Sequence, residues 1–242
     1  MYPNETMDLC GILQANPYPG RGLMMGVNQR NEAVMLYFIM GRSDNSRNRV
    51  FLRDGDGLRI EPYDASLVKD PSLIIYRPVR KLDNTYIVTN GDQTDTIYDF
   101  LRRGSHLSDA LLSRSYEPDA PNYTPRISSV MTIAKGDCRY TLSILKKQDD
   151  VGVHCARQYF EYRREKGLGH FIHTYEGDGS LLPSFRGEPA RIALRGDVQT
   201  FAQNAWDSLH PDNRIALYAR AVPLDGGEET VIIINRFAKE DL

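Results

Sequence analysis

The chain has 242 residues, of which 41% are hydrophobic and 26% are charged, and its net charge is -2. This composition is typical of a globular protein with a substantial core, and it argues against a protein that holds nucleic acid through overall positive charge. No apolar run reaches the roughly 18 residues of a membrane span, and the first residues lack the features of a secretion signal. The three cysteines, Cys10, Cys138 and Cys155, form no C-x-x-C pair. We therefore expect a cytoplasmic protein with neither a disulfide framework nor a zinc site.

Short apolar runs rich in β-branched and aromatic residues predict strands along most of the chain. They lie at residues 33–40, 73–76, 86–88, 127–133, 140–145, 214–222 and 231–234. Glycine-containing turns at 54–57 and 225–227 are typical of β-hairpins. These runs predict a large system of sheets.

Helical patterns are fewer. Residues 94–103 place apolar side chains on one face before Gly104, and Ser105 or Ser108 would cap a second helix that continues through residues 110–112. Residues 197–209 form the clearest amphipathic pattern, with Asp197 as the cap and Trp206 in the core. Many strands with two or three helices predict an α+β fold with helices on the outer faces of stacked sheets.

The segment at residues 41–49 places Arg42, Arg47 and Arg49 directly after the predicted buried strand 33–40. Guanidinium groups bind phosphate or carboxylate through paired hydrogen bonds, and Ser43 would add an uncharged hydroxyl. The segment therefore predicts an anion site at the end of a strand. The alternative is a solvated loop whose arginines make surface ion pairs.

Three further segments carry residues with potential chemistry. Residues 89–96 join a predicted strand to a predicted helix. Their exposed N–H groups and polar side chains would bind an anion or a polar ring substituent. The alternative is a turn followed by an ordinary N-cap. Tyr76 follows a strand and either donates a proton or packs in the core. Glu117 begins a proline-rich loop and is either solvated or a general base, and Arg126 adds a cation before the next strand.

His170 and His173 form an H-x-x-H pattern, which is a weak metal signal without a third ligand. We expect no metal and no cofactor. The surrounding polar, glycine-rich segment at residues 167–189 is typical of a lid or of a subunit contact, and the sequence does not separate the two.

Several segments, taken together and in order, resemble the archaeal-type inosine monophosphate (IMP) cyclohydrolase family and its bacterial relatives. They are residues 16–22, 41–49, 70–76, 89–97 and 123–127. The resemblance implies a single domain over residues 1–242 with a four-layer α-β-β-α sandwich similar to N-terminal nucleophile hydrolases. It also implies an enzyme that closes the ring of a formamido-imidazole-carboxamide ribonucleotide to give IMP, without a metal or cofactor and as a homo-oligomer.

Carried over by position, Arg47, Tyr76 and Glu117 match the family's proposed catalytic residues, and Arg49 replaces Arg47 if the alignment shifts by one or two residues. Glu117 would accept a proton from the carboxamide nitrogen and Tyr76 would protonate the formyl oxygen. The remaining expected substrate-binding residues are Arg42, Ser43, Arg49, Asn90, Asp92, Thr94, Asp95, Thr124 and Arg126.

Two alternatives remain open from the sequence. Cys10-Gly11 would become the nucleophile of an N-terminal nucleophile amidohydrolase if residues 1–9 were removed, or Cys10 would be a small buried residue on the first strand. A non-catalytic protein that binds purine nucleotides is the second alternative.

Overall fold

The computed structural model describes residues 5–68, 75–149 and 154–237. Within these ranges the strands are β1 (Arg21–Val27), β2 (Glu32–Met40), β3 (Val50–Asp54), β4 (Gly57–Glu61), β5 (Val79–Leu82), β6 (Thr85–Thr89), β7 (Arg126–Ala134), β8 (Asp137–Lys147), β9 (Cys155–Arg163), β10 (Leu168–His173), β11 (Ala190–Ala193), β12 (Arg214–Pro223) and β13 (Thr230–Asn235). The α-helices are α1 (Leu9–Ala15), α2 (Asp44–Arg47), α3 (Gln93–Arg102), α4 (Leu107–Leu112) and α5 (Val198–Ser208), and a short 3-10 turn spans Ala65–Leu67.

The strands form two antiparallel sheets. The first has six strands in the order β11-β10-β1-β2-β12-β13, and the second has seven in the order β3 to β9, each next to its neighbour in sequence. All the strand pairs in these sheets run antiparallel. The α+β class is therefore confirmed, with two antiparallel sheets and few helices.

Strand β2 shows why its sequence is a continuous apolar run. Side chains alternate between the two faces of a strand. Met35 and Tyr37 belong to the core between the two sheets, whereas Leu36 and Phe38 belong to a separate core on the outer side of the first sheet. Both faces of β2 are buried, so no polar alternation is left in its sequence.

Helices cover the outer sides of both sheets. Leu9 and Leu13 of α1 and Trp206 of α5 belong to the outer core of the first sheet. On the second sheet, Ile97 of α3 and Leu111 of α4 pack in a smaller cluster with strand residues. The amphipathic stripes of these helices are explained by this burial.

Two polar side chains, Asn235 and Glu229, form hydrogen bonds that join the two sheets along one side. Asn235, at the end of β13, accepts a hydrogen bond from the Phe51 amide of β3 at 2.8 Å and donates one to the Phe51 carbonyl at 3.0 Å. Glu229, before β13, accepts hydrogen bonds from Tyr86 at 2.7 Å and Lys81 at 3.0 Å, both on the second sheet. Its other oxygen lies 3.4 Å from Nε of Arg220 on β12, a residue that is 1% exposed.

The strands predicted at 33–40, 86–88, 127–133, 140–145, 214–222 and 231–234 are confirmed, as are both hairpin turns and the three helices. Half of the predicted strand at 73–76 lies outside the described residues, and Ile75 and Tyr76 are not in a strand. In the described part of the chain, no helix combines the length and apolar character needed to cross a membrane.

Three local predictions were wrong. The cap of α4 is His106, because the Asp109 carboxylate accepts the His106 backbone N–H at 2.9 Å, so neither Ser105 nor Ser108 serves as the cap. Cys10 lies in α1 and not on the first strand, since Asp8 caps a helix at this point. The alternative of a solvated loop does not hold for the whole of segment 41–49, because Ser43 and Ser46 form a capping box that starts the single turn α2 and Arg49 is fully buried.

Candidate active site

Charged and phenolic side chains gather between the two sheets, near the ends of several strands. We call this group the Glu117 cluster; its members are Arg21, Tyr37, Arg49, Tyr76 and Glu117. Arg21 begins β1, Arg49 directly precedes β3, and Tyr37 lies on β2. Tyr76 precedes β5 and Glu117 lies between α4 and β7. Segments far apart in sequence therefore build the site.

Glu117 is the buried acid of this cluster. It is 3% exposed, and its backbone N–H donates to the Thr124 carbonyl at 2.9 Å, which fixes the segment that carries it. Burial raises the pKa of Glu117 to about 6, although Arg21 and Arg126 act in the opposite direction. A carboxyl group with this pKa is a competent general base near neutral pH.

Tyr76 supplies a hydroxyl beside the acid. Its oxygen lies 2.8 Å from the hydroxyl oxygen of Tyr37, and the Tyr37 ring stacks on Phe51 with ring centres 5.7 Å apart. Burial raises the pKa of Tyr76, while Arg21 and Arg49 partly offset this effect. Tyr76 therefore stays protonated near neutral pH, as a proton donor must be.

Two arginines enter the cluster with N–H groups that make no hydrogen bond to the described residues. Arg49 is fully buried; its Nε donates to the Ser46 carbonyl at 2.6 Å and its Nη1 has no such partner. Burial and the nearby Arg21 charge lower the pKa of Arg49. Nε of Arg21 also lacks a partner, and Glu117 with neighbouring tyrosines outweighs burial to raise the pKa of Arg21. The arrangement suits a bound anion.

Arg126 forms the edge of the cluster next to Glu117. Its Nη1 donates to Asp92 and to Gln93 at 2.7 Å each, and Arg114 also donates to Asp92. Gly91 allows this close packing, because a Cβ placed there would lie 2.5 Å from Arg126 Nη1 and 3.4 Å from a Glu117 carboxylate oxygen. The predicted substrate-binding residues Asp92 and Arg126 thus lie together at the edge of the site.

Three other predicted substrate-binding residues have their side chains engaged in local structure. Asn90 accepts from the Ile127 amide and donates to the Pro125 carbonyl, both at 2.8 Å. Thr94 donates to the Gly91 carbonyl at 3.0 Å, and both Asn90 and Thr94 are fully buried. Asp95 accepts from Arg80 at 2.7 Å on the surface. The structure therefore places Asn90 and Thr94 in the framework of the turn, behind the Glu117 cluster.

The segment at residues 41–49 sends its arginines in different directions. Nε of Arg47 donates to the Gly41 carbonyl at 3.2 Å, and its Nη2 lies 3.4 Å from Asn213, so this side chain is not in the Glu117 cluster. Arg42 donates to Asp178 and lies 4.9 Å above the Tyr18 ring. Ser43 caps α2 by accepting the Ser46 amide at 3.2 Å. Only Arg49 of this segment reaches the cluster.

Part of the segment at residues 167–189 borders the site, because Tyr175 lies close enough to Arg21 to act on its pKa. Its Tyr175 shares a hydrogen bond of 2.6 Å with Thr124 and stacks against Tyr18 with ring centres 6.0 Å apart. Asp178 of the same segment contacts Arg42. The sequence of this segment is compatible with a lid and with a subunit contact.

Arg21, Tyr37 and Tyr175 were not among the predicted site residues. Residue 21 lies in the 16–22 segment that carries the family resemblance, so a signal for Arg21 was present. Tyr37 lies within the apolar run of β2. Its sequence context is that of an ordinary core tyrosine, so it gives no sign of a role in the site.

The H-x-x-H histidines do not form a metal site. Spacing by three residues on a strand places two side chains on opposite faces. His170 pairs with Tyr140 at 2.8 Å between the sheets, whereas His173 stacks beside Phe171 in the outer core. Within residues 5–68, 75–149 and 154–237, no group of three or more His, Cys, Asp or Glu side chains is arranged to hold a metal ion.

A groove of about 680 Å³ lies elsewhere, on the outer side of the second sheet between helices α3 and α4 and strands β7 to β9. Its charged lining residues, Arg139, Glu161 and Arg163, are exposed. The Glu117 cluster, by contrast, holds buried acid, hydroxyl and cation side chains within reach of one another. We place the candidate active site there because buried titratable groups with shifted pKa values are typical of catalytic sites.

The fold and the site together define an α+β protein with two antiparallel sheets and a buried acid, phenol and arginine cluster between them. Residues 18–226 match the family model described as IMP cyclohydrolase-like protein, and the chain belongs to this family. The resemblance inferred from the sequence is therefore confirmed.

Curated relatives are archaeal proteins named IMP cyclohydrolase. The chain is 33% identical to that of Methanothrix thermoacetophila over 183 residues, which cover 74% of this chain and 84% of the relative. It is 29% identical to that of Methanococcus aeolicus over 163 residues, covering 66% and 74%. It is 34% identical to that of Methanopyrus kandleri over 117 residues, covering 47% and 58%.

Proposed function

We propose that this protein is an IMP cyclohydrolase that closes the ring of 5-formamidoimidazole-4-carboxamide ribonucleotide to give IMP and water. Membership of the family supports a purine nucleotide as the substrate. The observation that carries the proposal is the presence of Glu117, Tyr76 and two arginines in one buried cluster. An intramolecular dehydration needs a base, an acid and anion stabilisation, and the cluster has all three.

In the addition step, the carboxamide nitrogen bonds to the formyl carbon. Glu117 accepts the proton that leaves this nitrogen, and Tyr76 donates a proton to the formyl oxygen, which becomes a hydroxyl. In the elimination step, the hydroxyl leaves as water with the proton that Glu117 returns, while the formamido nitrogen gives its proton to the Tyr76 phenolate. Glu117 and Tyr76 then return to their starting protonation states. Positioning the two reacting groups supplies much of the acceleration.

Arg21 and Arg49 stabilise the negative charge that develops on the formyl oxygen and on Tyr76. Both lie close enough to Tyr76 to act on its pKa, and each has an N–H without a partner among the described residues. A buried donor that is already in place gives more stabilisation than one that must reorganise. Arg49 takes the role predicted for Arg47, because Arg47 is held by Gly41 and Asn213.

Residues at the edge of the cluster contact the nucleotide. Arg126 lies close enough to Glu117 to act on its pKa, the Thr124 carbonyl accepts the Glu117 backbone N–H, and Arg42 lies above the Tyr18 ring. We also propose, from the family resemblance, a four-layer α-β-β-α sandwich similar to N-terminal nucleophile hydrolases, one domain over residues 1–242, a homo-oligomer and a cytoplasmic location.

The test is to mix the protein with the formylated ribonucleotide and follow IMP formation by ultraviolet absorption, with IMP binding measured by calorimetry. We expect turnover, and we expect Glu117→Gln and Tyr76→Phe each to slow it well beyond about threefold. If both variants stayed within threefold of the parent, the acid and base roles would be wrong. Binding of IMP without turnover would support the non-catalytic alternative.

The amidohydrolase alternative receives no support from the position of Cys10. This residue lies in α1, whose Leu9 and Leu13 pack in the outer core of the first sheet, so the helix is separated from the Glu117 cluster by that sheet. An intact mass that includes residues 1–9, measured on fully active protein, would exclude a processed Cys10 nucleophile.

A further inference from the structure

The hydroxyl of Tyr37 is a buried group for which the proposed mechanism has no role. Tyr37 lies in the middle of β2, and its side chain is fully buried. Its ring is fixed by stacking on Phe51, and its hydroxyl oxygen lies 2.8 Å from that of Tyr76. A tyrosine held this way places its O–H at one defined point, beside the proposed proton donor.

The direction of this hydrogen bond follows from the neighbouring groups. Arg21 and Arg49 lie next to the pair, but a guanidinium group has no acceptor, so neither hydroxyl can donate to them. Among the described residues, the acceptor for the Tyr37 proton is Tyr76. Tyr76 is 8% exposed and faces Glu117, whereas Tyr37 is fully enclosed. Tyr37 is therefore the donor, and the proton of Tyr76 is left free to point toward the substrate.

We propose that Tyr37 is a positioning residue for catalysis, which orients the Tyr76 proton toward the formyl oxygen and stabilises the Tyr76 phenolate after proton transfer. This inference rests on the proposed function, since it assigns Tyr76 the role of acid. A hydrogen bond to a developing phenolate is charge-assisted and stronger than one between two neutral hydroxyls. The bond therefore strengthens as the reaction proceeds, which lowers the barrier and leaves substrate binding unchanged.

The electrostatics of the pair are consistent with this division of roles. Burial raises the pKa of Tyr37, and the hydrogen bond to Tyr76 raises it further. The same hydrogen bond lowers the pKa of Tyr76, against the effect of burial. Tyr37 thus stays protonated while Tyr76 ionises.

The kinetic test compares Tyr37→Phe, Tyr76→Phe and the double variant with a matched control, Tyr218→Phe. Tyr218 lies directly opposite Tyr37 on β12, and its buried hydroxyl has no hydrogen-bond partner among the described residues. We expect Tyr37→Phe to lower kcat by about 10- to 100-fold, the range for a hydrogen bond to a charged group, with KM within about twofold. Tyr218→Phe should leave kcat unchanged.

Two further kinetic results are expected. Because Tyr37 acts through Tyr76, the double variant should be no slower than Tyr76→Phe alone. The basic limb of the kcat profile should move to higher pH in Tyr37→Phe, since Tyr76 loses the hydrogen bond that favours its phenolate. A Tyr37→Phe enzyme with unchanged kcat and pH profile, in a parent that turns over, would overturn the inference and leave the proposed function intact.

A second measurement does not depend on activity. Tyrosine labelled with ¹³C at the ring carbon that bears the hydroxyl reports ionisation by NMR, and the Tyr76 signal is identified by its loss in Tyr76→Phe. We expect the pKa of Tyr76 to rise in Tyr37→Phe and to stay unchanged in Tyr218→Phe. If Tyr37→Phe does not fold, the pKa of Tyr37 should fall in Tyr76→Phe. Independent titration of the two residues would overturn the inference, whereas coupled titration in a protein without turnover would count against the proposed function alone.

Discussion

Glu117 shows how one buried residue sets the pH dependence of the whole site. Its pKa of about 6 means that the ionised base is depleted as the pH falls below this value. We expect kcat/KM of the parent protein to decline on the acid side with an apparent pKa near 6. Glu117→Gln should have low activity without this acid limb. Rates measured between about pH 5 and 8 test this, and an acid limb that persisted in Glu117→Gln would assign it to another group.

The raised pKa of Glu117 also predicts how the stability of the protein depends on pH. A carboxyl group whose pKa is raised by folding stabilises the folded state below its unfolded pKa, and this contribution is lost as the pH rises through the folded pKa. Relative to Glu117→Gln, the parent should therefore lose about 2 kcal/mol of unfolding free energy between roughly pH 4 and pH 7, since one pKa unit corresponds to about 1.4 kcal/mol. Urea unfolding of both proteins across this range measures the difference. A constant difference would show that Glu117 has an ordinary pKa.

The sequence assigns the catalytic arginine to Arg47, whereas the structure places Arg49 in the Glu117 cluster. Arg49 is buried beside Tyr76, whereas Arg47 is bonded to Gly41 and Asn213. We expect Arg49→Met to lower kcat/KM by about 100-fold or more, the effect of losing a donor to a developing oxyanion, and Arg47→Met to lower it by less than about threefold. Thermal unfolding of both variants controls for folding. The reverse order of activities would restore the assignment made from the sequence.

At the scale of elements, the turn between β6 and α3 depends on a residue without a side chain. A Cβ at Gly91 would meet Arg126 Nη1 and the Gln93 oxygen at 2.5 Å. We expect Gly91→Ala to displace Arg126, to destabilise the protein by about 1–3 kcal/mol and to lower kcat/KM by about tenfold. Gly11→Ala is the control, because a Cβ at this position in α1 meets nothing within 4 Å. Equal behaviour of the two variants would show that Gly91 is not needed for close packing.

The sequence of segment 41–49 predicts an anion site but not which arginine builds it. Ser43 and Ser46 form a capping box, and the resulting helical turn places Arg47 and Arg49 on different sides. A shift of two residues along an extended chain would have kept both side chains on the same face. The local hydrogen bonds of two serines therefore decide which cation is buried, and composition does not reveal this.

At the scale of the whole molecule, Glu229 connects the two sheets through Lys81, Tyr86 and Arg220. Partial burial acts to raise the pKa of Glu229, but the hydrogen bonds from Tyr86 and Lys81 and the charge of Arg220 lower it overall. A carboxyl group with a lowered pKa contributes stability above its unfolded pKa of about 4.3, and this contribution is lost as the pH falls through the folded pKa. Removing its charge also leaves Arg220 buried without a counterion.

We therefore expect Glu229→Gln to lower the unfolding free energy by about 1–3 kcal/mol at pH 7, with a smaller difference at acid pH. Adding Arg220→Met should recover part of this loss, because no buried charge is then left unpaired. Denaturant unfolding at pH 7 and at lower pH measures both effects. A double variant less stable than Glu229→Gln would show that Arg220 contributes stability independently of Glu229.

Three strands of the second sheet, β6, β7 and β8, can be predicted from the sequence, since each is a run rich in β-branched and aromatic residues. Strands β1 and β10 were missed because Gly22, Gly26 and Gly169 interrupt their apolar pattern. These glycines are needed where neighbouring side chains and backbone approach closely, as a Cβ at Gly26 would lie 2.4 Å from Cα of Gly169. The predicted site contained Tyr76 and Glu117, but Arg21 and Tyr175 join it through contacts between distant segments that no local pattern records.

The two hydrogen bonds between Asn235 and Phe51 affect the tendency of the protein to aggregate at high concentration. Phe51 lies on β3, the outermost strand of the second sheet, and an outermost strand offers unpaired N–H and C=O groups to any other chain. The Asn235 amide occupies both groups of Phe51 as a neighbouring strand would. At the opposite border, β9 exposes Glu161 and Arg163, whose charged side chains would lose their hydration under an approaching strand. Both edges of the second sheet are therefore protected against pairing with another chain. On β3 the Asn235 side chain occupies backbone groups, and on β9 the exposed side chains are charged.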